Sequence, residues 1–171
     1  MTITLIGMPG VGKSCMGRAL SRVFQLKTID GDKLIEKNTG RELHEIISTD
    51  GLDKFKKIEE EVLLSINGDG LVISPGGSAV YYPSVMEHFK SLGPVVYLYA
   101  SPEVLTARLG DFSKRGVVLE EGMTLYDLYL ERKPLYEKYA DIIIDCDGEC
   151  YEKYQKRLFD AVYAYKSTLL K

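Results

Sequence analysis

The chain of 171 residues and 19.2 kDa has the size of one domain and is too short for two well-cored halves. Its 45% hydrophobic and 27% charged residues exclude collagen-like, disordered and coiled-coil classes. A formal charge of -3 supplies no basic field for nucleic acid or an anionic membrane, and neither a membrane span of roughly 18 apolar residues nor a signal peptide is visible, so the expectation is a cytosolic monomer that binds small molecules.

Thr2 to Ile6 is a β-branched apolar run ending at Gly7, and Met16, Leu20 and Val23 recur at helical spacing between Lys13 and Phe24, which predicts strand, loop and helix. Leu26 to Ile29 predicts a second strand closing on Asp30-Gly-Asp32, followed by a small helix from Lys33 to about Asn38 that Gly40 stops. Glu42 to Ile47 and Leu52 to Ile66 have helical period, the second with Phe55, Ile58, Val62 and Ile66 in one stripe. Leu71 to Ser74, cut off by Pro75-Gly-Gly-Ser78, and Pro94 to Tyr99 are compact apolar runs, as expected of strands buried on both faces of a parallel sheet, and a helix from Ser84 to Ser91 joins them. After Ser101-Pro102 a helix runs to about Leu109. Gly110 to Gly122 is then polar, punctuated by glycine and without period, and is a lid candidate. Leu125 to Tyr139 predicts a helix, Ile142 to Ile144 the last strand, and Cys150 to Leu170 an amphipathic helix with Tyr154, Leu158, Val162 and Tyr165 on one side.

Three cysteines, Cys15, Cys146 and Cys150, are too few and odd in number for a disulfide framework. Cys146 and Cys150 have no second pair or nearby histidine and read as ordinary thiols rather than metal ligands. His44 and His88 stand alone and read as solvated or half-buried helix residues.

Gly7-Met-Pro-Gly-Val-Gly12-Lys13-Ser14 matches G-x-x-x-x-G-K-[ST] in full, between a predicted strand and a predicted helix. Glycines let the turn wrap its N–H groups around phosphate oxygens, and the helix presents its positive end to the anion. Lys13 then reaches the β- and γ-phosphates and the Ser14 hydroxyl binds Mg²⁺. ATP contacts are expected through Gly7, Pro9, Gly10, Val11, Gly12, Lys13, Ser14 and Cys15. With strands and helices alternating, this predicts a doubly wound α/β architecture: a three-layer P-loop NTPase fold with a five-stranded parallel sheet flanked by helices, plus the lid. Neither Leu71–Ser74 nor Val95–Tyr99 ends on a carboxylate, and the guanine-reading NKxD tetrapeptide is absent. Asp30 and Asp32 are left to share the work, one on a metal-bound water and one on the acceptor hydroxyl; the alternative is that Asp32 only caps the helix after it.

At several separated places the sequence resembles the shikimate kinase family. Its glycine loop corresponds to Gly7–Ser14, its Asp-x-Asp-x-x-Ile-Glu block to Asp30–Glu36, and its Phe-Arg-x-x-Glu block to Phe55–Glu59; its triple-glycine turn resembles Gly76-Gly77-Ser78 and its Arg-x-Pro-Leu-Tyr helix matches Arg132–Tyr136. The resemblance implies that Asp30 holds Mg²⁺ through water, that Asp32 binds the acceptor's hydroxyls and serves as base, and that Gly76 and Gly77 admit backbone N–H groups to the acceptor. It also implies that Arg132 pairs with the acceptor's carboxylate, that the lid's Arg115 closes over the phosphates, and that Arg108 stacks on adenine; for Arg108 a solvated helix-end charge is the other reading. The implied reaction is ATP- and Mg²⁺-dependent phosphorylation of shikimate, a small hydroxylated carboxylic acid. Three positions depart from the pattern. Lys56 stands where the family clamps the acceptor's carboxylate with arginine, and an ammonium makes no bidentate fork. Ser78 replaces the third glycine, and Gly116 replaces a lid proline. The departures fall on acceptor and lid, so a kinase of this fold acting on another hydroxy acid, sugar acid or amino-acid hydroxyl is the first alternative, and a non-catalytic ATP-binding module the second.

Overall fold

The computed structural model describes residues 1–109, 122–148 and 150–168. Three strands, β1 (Ile3–Ile6), β3 (Leu71–Ser74) and β4 (Val95–Tyr99), are buried along their length save at Tyr99. Runs that are apolar on both faces need cover on both faces, which a parallel sheet with helical crossovers supplies. They form the centre of a five-stranded sheet of order β2-β3-β1-β4-β5, parallel at every pairing. Its edges are β2 (Lys27–Asp30), where Lys27 and Thr28 are exposed, and β5 (Ile142–Asp145), where Ile143 is exposed.

Helices flank the sheet. α1 (Lys13–Phe24) packs on β1, β2 and β3 and against α8 (Tyr151–Thr168), which also lies on β5. α5 (Pro83–Leu92), α6 (Pro102–Leu109) and α7 (Leu125–Tyr139) follow the later strands, with α7 against β4. α2 (Gly31–Thr39), α3 (Leu43–Asp50) and α4 (Leu52–Leu64) gather around a core of their own, Ile35, Ile46, Phe55 and Val62, apart from the main one around the sheet. These three helices form one wall of the site.

The ends of β3, α1 and α7 fall where the residue pattern puts them; among the ends that move, by one to three residues, are those of β2 and α2. β2 runs Lys27–Asp30 because Leu26 still belongs to the end of α1: its N–H donates to the Ser21 carbonyl at 3.1 Å and its carbonyl accepts from Ser21 Oγ at 2.5 Å. α2 starts at Gly31, two residues before the expected Lys33. Its N-cap is therefore Asp30, whose carboxylate accepts from the Lys33 N–H at 3.3 Å, and Asp32 lies inside the first turn. A short 3₁₀ segment, Gly77–Tyr81, follows the glycine turn after β3, where no element was expected. Residues 110–121, most of the expected lid, lie outside the described residues, as do Arg115 and Gly116.

The cysteines are free thiols, and burial pushes the Cys146 thiol up to about 12. His44 is exposed, while His88 is half-buried with Nε2 2.7 Å from the Ile66 carbonyl, as helix residues without partner ligands should be. No helix among the described residues is long and apolar enough to cross a membrane.

Candidate active site

The sheet order places β1 between β3 and β4, so the crevice opens beyond its carboxyl end, where an open α/β sheet holds its ligand. The chain leaves β1 through Gly7, Gly10 and Gly12, at φ of 145°, 82° and 107°. Those left-handed values are open to glycine and strained for other residues, which is why the turn needs glycine at all three places. At Gly12, the residue before α1, no side chain caps the helix. The first N–H groups of α1 are thus left for an anion, and the helix dipole adds to their pull. Lys13 folds back over the loop, donating through Nζ to the carbonyls of Gly7 at 2.8 Å and Met8 at 3.1 Å. Burial lowers its pKa to about 8 against the opposing pull of Asp32. An arriving phosphate would restore the full charge.

Opposite the loop, the end of β2 brings up both aspartates. Asp30 holds a corner with Ser14, whose Oγ donates to Asp30 Oδ2 at 3.4 Å. Among the described residues no three His, Cys, Asp or Glu side chains gather into a metal cage. Mg²⁺ needs none, since it keeps waters and takes phosphate oxygens beside one or two protein oxygens. The Ser14–Asp30 corner fits that donor set. Asp32 approaches the glycine turn so closely that a Cβ at position 76 would lie 2.8 Å from its Oδ1. Crowding by protein atoms, followed by the charge of Asp30, pushes the Asp32 pKa up to about 6, with Lys13 opposing and Glu59 adding to the rise. The side chain still faces solvent across the open cleft, so water screens part of this push, and ligands that displace the water would strengthen it.

The far wall is built on a buried carboxylate. Glu59 is 1% exposed. Its Oε1 accepts from Ser78 Oγ at 2.6 Å and its Oε2 from Tyr82 Oη at 2.7 Å, so both oxygens are satisfied. Arg132, on α7, is 7% exposed. A Cβ at position 77 would come within 2.8 Å of its Nη1, so only glycine lets the guanidinium sit there. Tyr136, one turn further along α7, donates to the Gly77 carbonyl at 2.8 Å and stacks on Tyr97 with ring centroids 5.1 Å apart. The cleft has a volume of about 760 Å³ and reaches from Pro9 and the phosphate loop to Arg132, with Leu43, Ile47, Leu52 and Phe55 as its apolar side. A phosphate seat, a carboxylate near neutral titration and a guanidinium therefore share one cavity, which suits transfer of a phosphoryl group to a small acid's hydroxyl.

The family model for shikimate kinase matches residues 9–162. The chain belongs to the shikimate kinase family. The shikimate kinase of Francisella tularensis subsp. novicida is 35% identical over 150 residues, which is 85% of either chain. Among solved structures, shikimate kinase from Acinetobacter baumannii in complex with shikimate superposes with a TM-score of 0.84 at 28% identity, over 95% of this chain and 93% of that one. Shikimate kinase from Aquifex aeolicus does so with 0.79, also at 28% identity, over 96% and 97%.

Relative to the shikimate kinase pattern, the cleft brings together Pro9, Gly10, Gly12, Lys13, Ser14, Cys15, Asp30, Asp32, Lys56, Gly76, Gly77, Ser78 and Arg132. Gly7 and Val11 are buried within the loop and shape it from behind. Arg108 is no solvated helix end: it donates to the Val11 carbonyl at 3.3 Å and the Cys146 carbonyl at 2.9 Å, with its Cζ 5.7 Å from the Tyr154 ring centroid. It thus braces the phosphate loop through Val11. Lys56, rather than Lys57, lines the cleft. The Ser78 hydroxyl is spent on Glu59 rather than on the cavity. Glu59, Tyr81, Tyr82 and Glu131 were not anticipated as part of the site. Glu59 carried a signal all the same, since it follows Phe55 by four residues and interrupts the apolar stripe of α4 with a charge.

Proposed function

We propose that the chain transfers the γ-phosphoryl group of ATP to the 3-hydroxyl of shikimate. The observation that carries this reading is the placement of Lys13, Asp32 and Arg132 on the walls of one cleft, in a chain of this family. ATP lays its phosphates on the N–H groups of the loop and of the first turn of α1, where Lys13 pairs with the β- and γ-oxygens. Ser14 and Asp30 would hold Mg²⁺, which when bound would neutralise phosphate charge. The acceptor's carboxylate lies against Arg132, with Lys56 as a second, non-bidentate cation and Gly76 and Gly77 leaving their N–H groups within reach. Its hydroxyl faces Asp32. As the bond from the hydroxyl oxygen to the γ-phosphorus forms and the β,γ-bridging bond breaks, the hydroxyl proton passes to Asp32 and ADP leaves. A carboxylate titrating at about 6 is ionised at neutral pH yet basic enough to take a proton, the compromise general-base catalysis needs. Arg108, held by the Val11 and Cys146 carbonyls, stacks on adenine, and the lid's Arg115 closes over the phosphates. Residues 1–171 would act as a single P-loop kinase domain with its lid at about 110–122, monomeric and cytosolic.

An ADP-release assay over a panel of acids tests it. Shikimate should give the highest kcat/KM. Lys56 and Ser78 favour one second reading, a kinase for a different hydroxy acid, and a higher kcat/KM for such an acid would replace shikimate as the acceptor.

A further inference from the structure

Tyr81 closes the 3₁₀ segment after the glycine turn and lines the cleft beside Arg132. Arg132 donates through Nε to Tyr81 Oη at 3.2 Å, and its Cζ lies 5.2 Å from the centroid of that ring. With Nη1 packed at Gly77 on the other side, the guanidinium is held between the turn and the phenol. Tyr81 Oη in turn donates to Glu131 Oε1. Glu131 is exposed and also borders the cleft, so a solvent-facing carboxylate accepts the hydrogen bond of the phenol. Burial holds the Tyr81 phenol above its ordinary value, which keeps it a neutral donor at physiological pH. Lys56, the cation α4 brings to the cleft, is a point charge without a planar fork. The anion seat at Arg132 thus has one guanidinium and, beside it, one O–H occupied by an exchangeable carboxylate.

We propose that Tyr81 is a positioning and specificity-determining residue for the acceptor: it fixes Arg132 and turns its O–H from Glu131 to the acceptor's carboxylate, so that guanidinium and phenol receive it together. Glu131 moves into water as the acceptor enters, where its charge is solvated. An acceptor with hydrogen in place of the carboxylate gains neither the guanidinium contact nor the exchange, so the pair selects acceptors that carry an acid there. This inference rests on the functional reading above.

Tyr81→Phe keeps the ring and removes the donor. The KM for shikimate should rise about tenfold, equivalent to about 1.4 kcal/mol, with kcat within about twofold and the KM for ATP and the Tm unchanged. With an analogue that has hydrogen in place of the carboxylate, variant and wild type should agree within about twofold. Glu131→Gln, which weakens the competing contact, should lower the KM for shikimate. Equal losses on shikimate and on the carboxylate-free analogue, a loss in kcat instead of KM, no change in either, or a higher KM in Glu131→Gln would overturn the proposal. Wild-type protein that neither binds nor phosphorylates shikimate would overturn the functional reading and the inference with it; active wild type with an unchanged Tyr81→Phe overturns the inference alone.

Discussion

Lys13→Ala is expected to lower kcat/KM by about 10³–10⁵, the scale on which one cation contributes to a phosphoryl-transfer transition state. The ammonium is bonded to the Gly7 and Met8 carbonyls, and burial lowers its pKa to about 8. A lysine desolvated in this way is already partly stripped of water, so it meets phosphate without first losing a hydration shell. The same burial predicts that ATP affinity declines as pH rises past about 8 and the side chain neutralises. Because the substitution also removes two hydrogen bonds within the loop, the Tm must be read beside the rate. A folded variant within about tenfold of wild type would remove Lys13 from the chemistry.

Asp32→Asn is the second large effect, with kcat lower by about 10²–10⁴ at saturating substrates, as for loss of a general base. The wild-type rate should fall about tenfold per pH unit below about 6, where Asp32 is protonated, and the variant should lose that limb. Stability moves the other way. A carboxylate whose folded pKa lies above its unfolded value favours the fold below the unfolded value and loses that advantage as pH rises through the folded one, here about 6. At pH 8 the neutral asparagine should therefore leave the Tm at or above that of wild type, which separates lost chemistry from lost structure. A variant that retains wild-type turnover would show that another group takes the proton.

The phosphate loop was legible because its information is local: glycine spacing, Lys13 and Ser14 lie within eight residues of a strand end. β1, β3 and β4 were legible because a strand buried on both faces leaves an uninterrupted apolar run. The start of α2 was not, since glycine is a poor helix former, and its place as the first helical residue depends on the Asp30 cap and on the close packing of Pro75, whose Cα a Cβ at position 31 would meet at 3.0 Å. That two-residue difference changes the site: the aspartate beside Ser14 also caps a helix, and the one free to face the acceptor is Asp32. The pairings of Glu59 with Ser78 and Tyr82, and of Arg108 with Val11 and Cys146, join residues that are 19 to 97 positions apart. No periodicity reports such contacts. Lys56 and Ser78 could be seen to depart from the family pattern, but that the Ser78 hydroxyl turns to a buried carboxylate is a property of the folded wall.

In the proposed reaction one cleft passes phosphorus from ATP to an acceptor hydroxyl without releasing it to water. Phosphorus NMR on protein incubated with ATP, Mg²⁺ and shikimate tests this directly: the γ-phosphate signal should decay while a single phosphomonoester grows at the rate ADP appears. ATP that stays intact, or that decays to inorganic phosphate with no ester formed, would contradict the account.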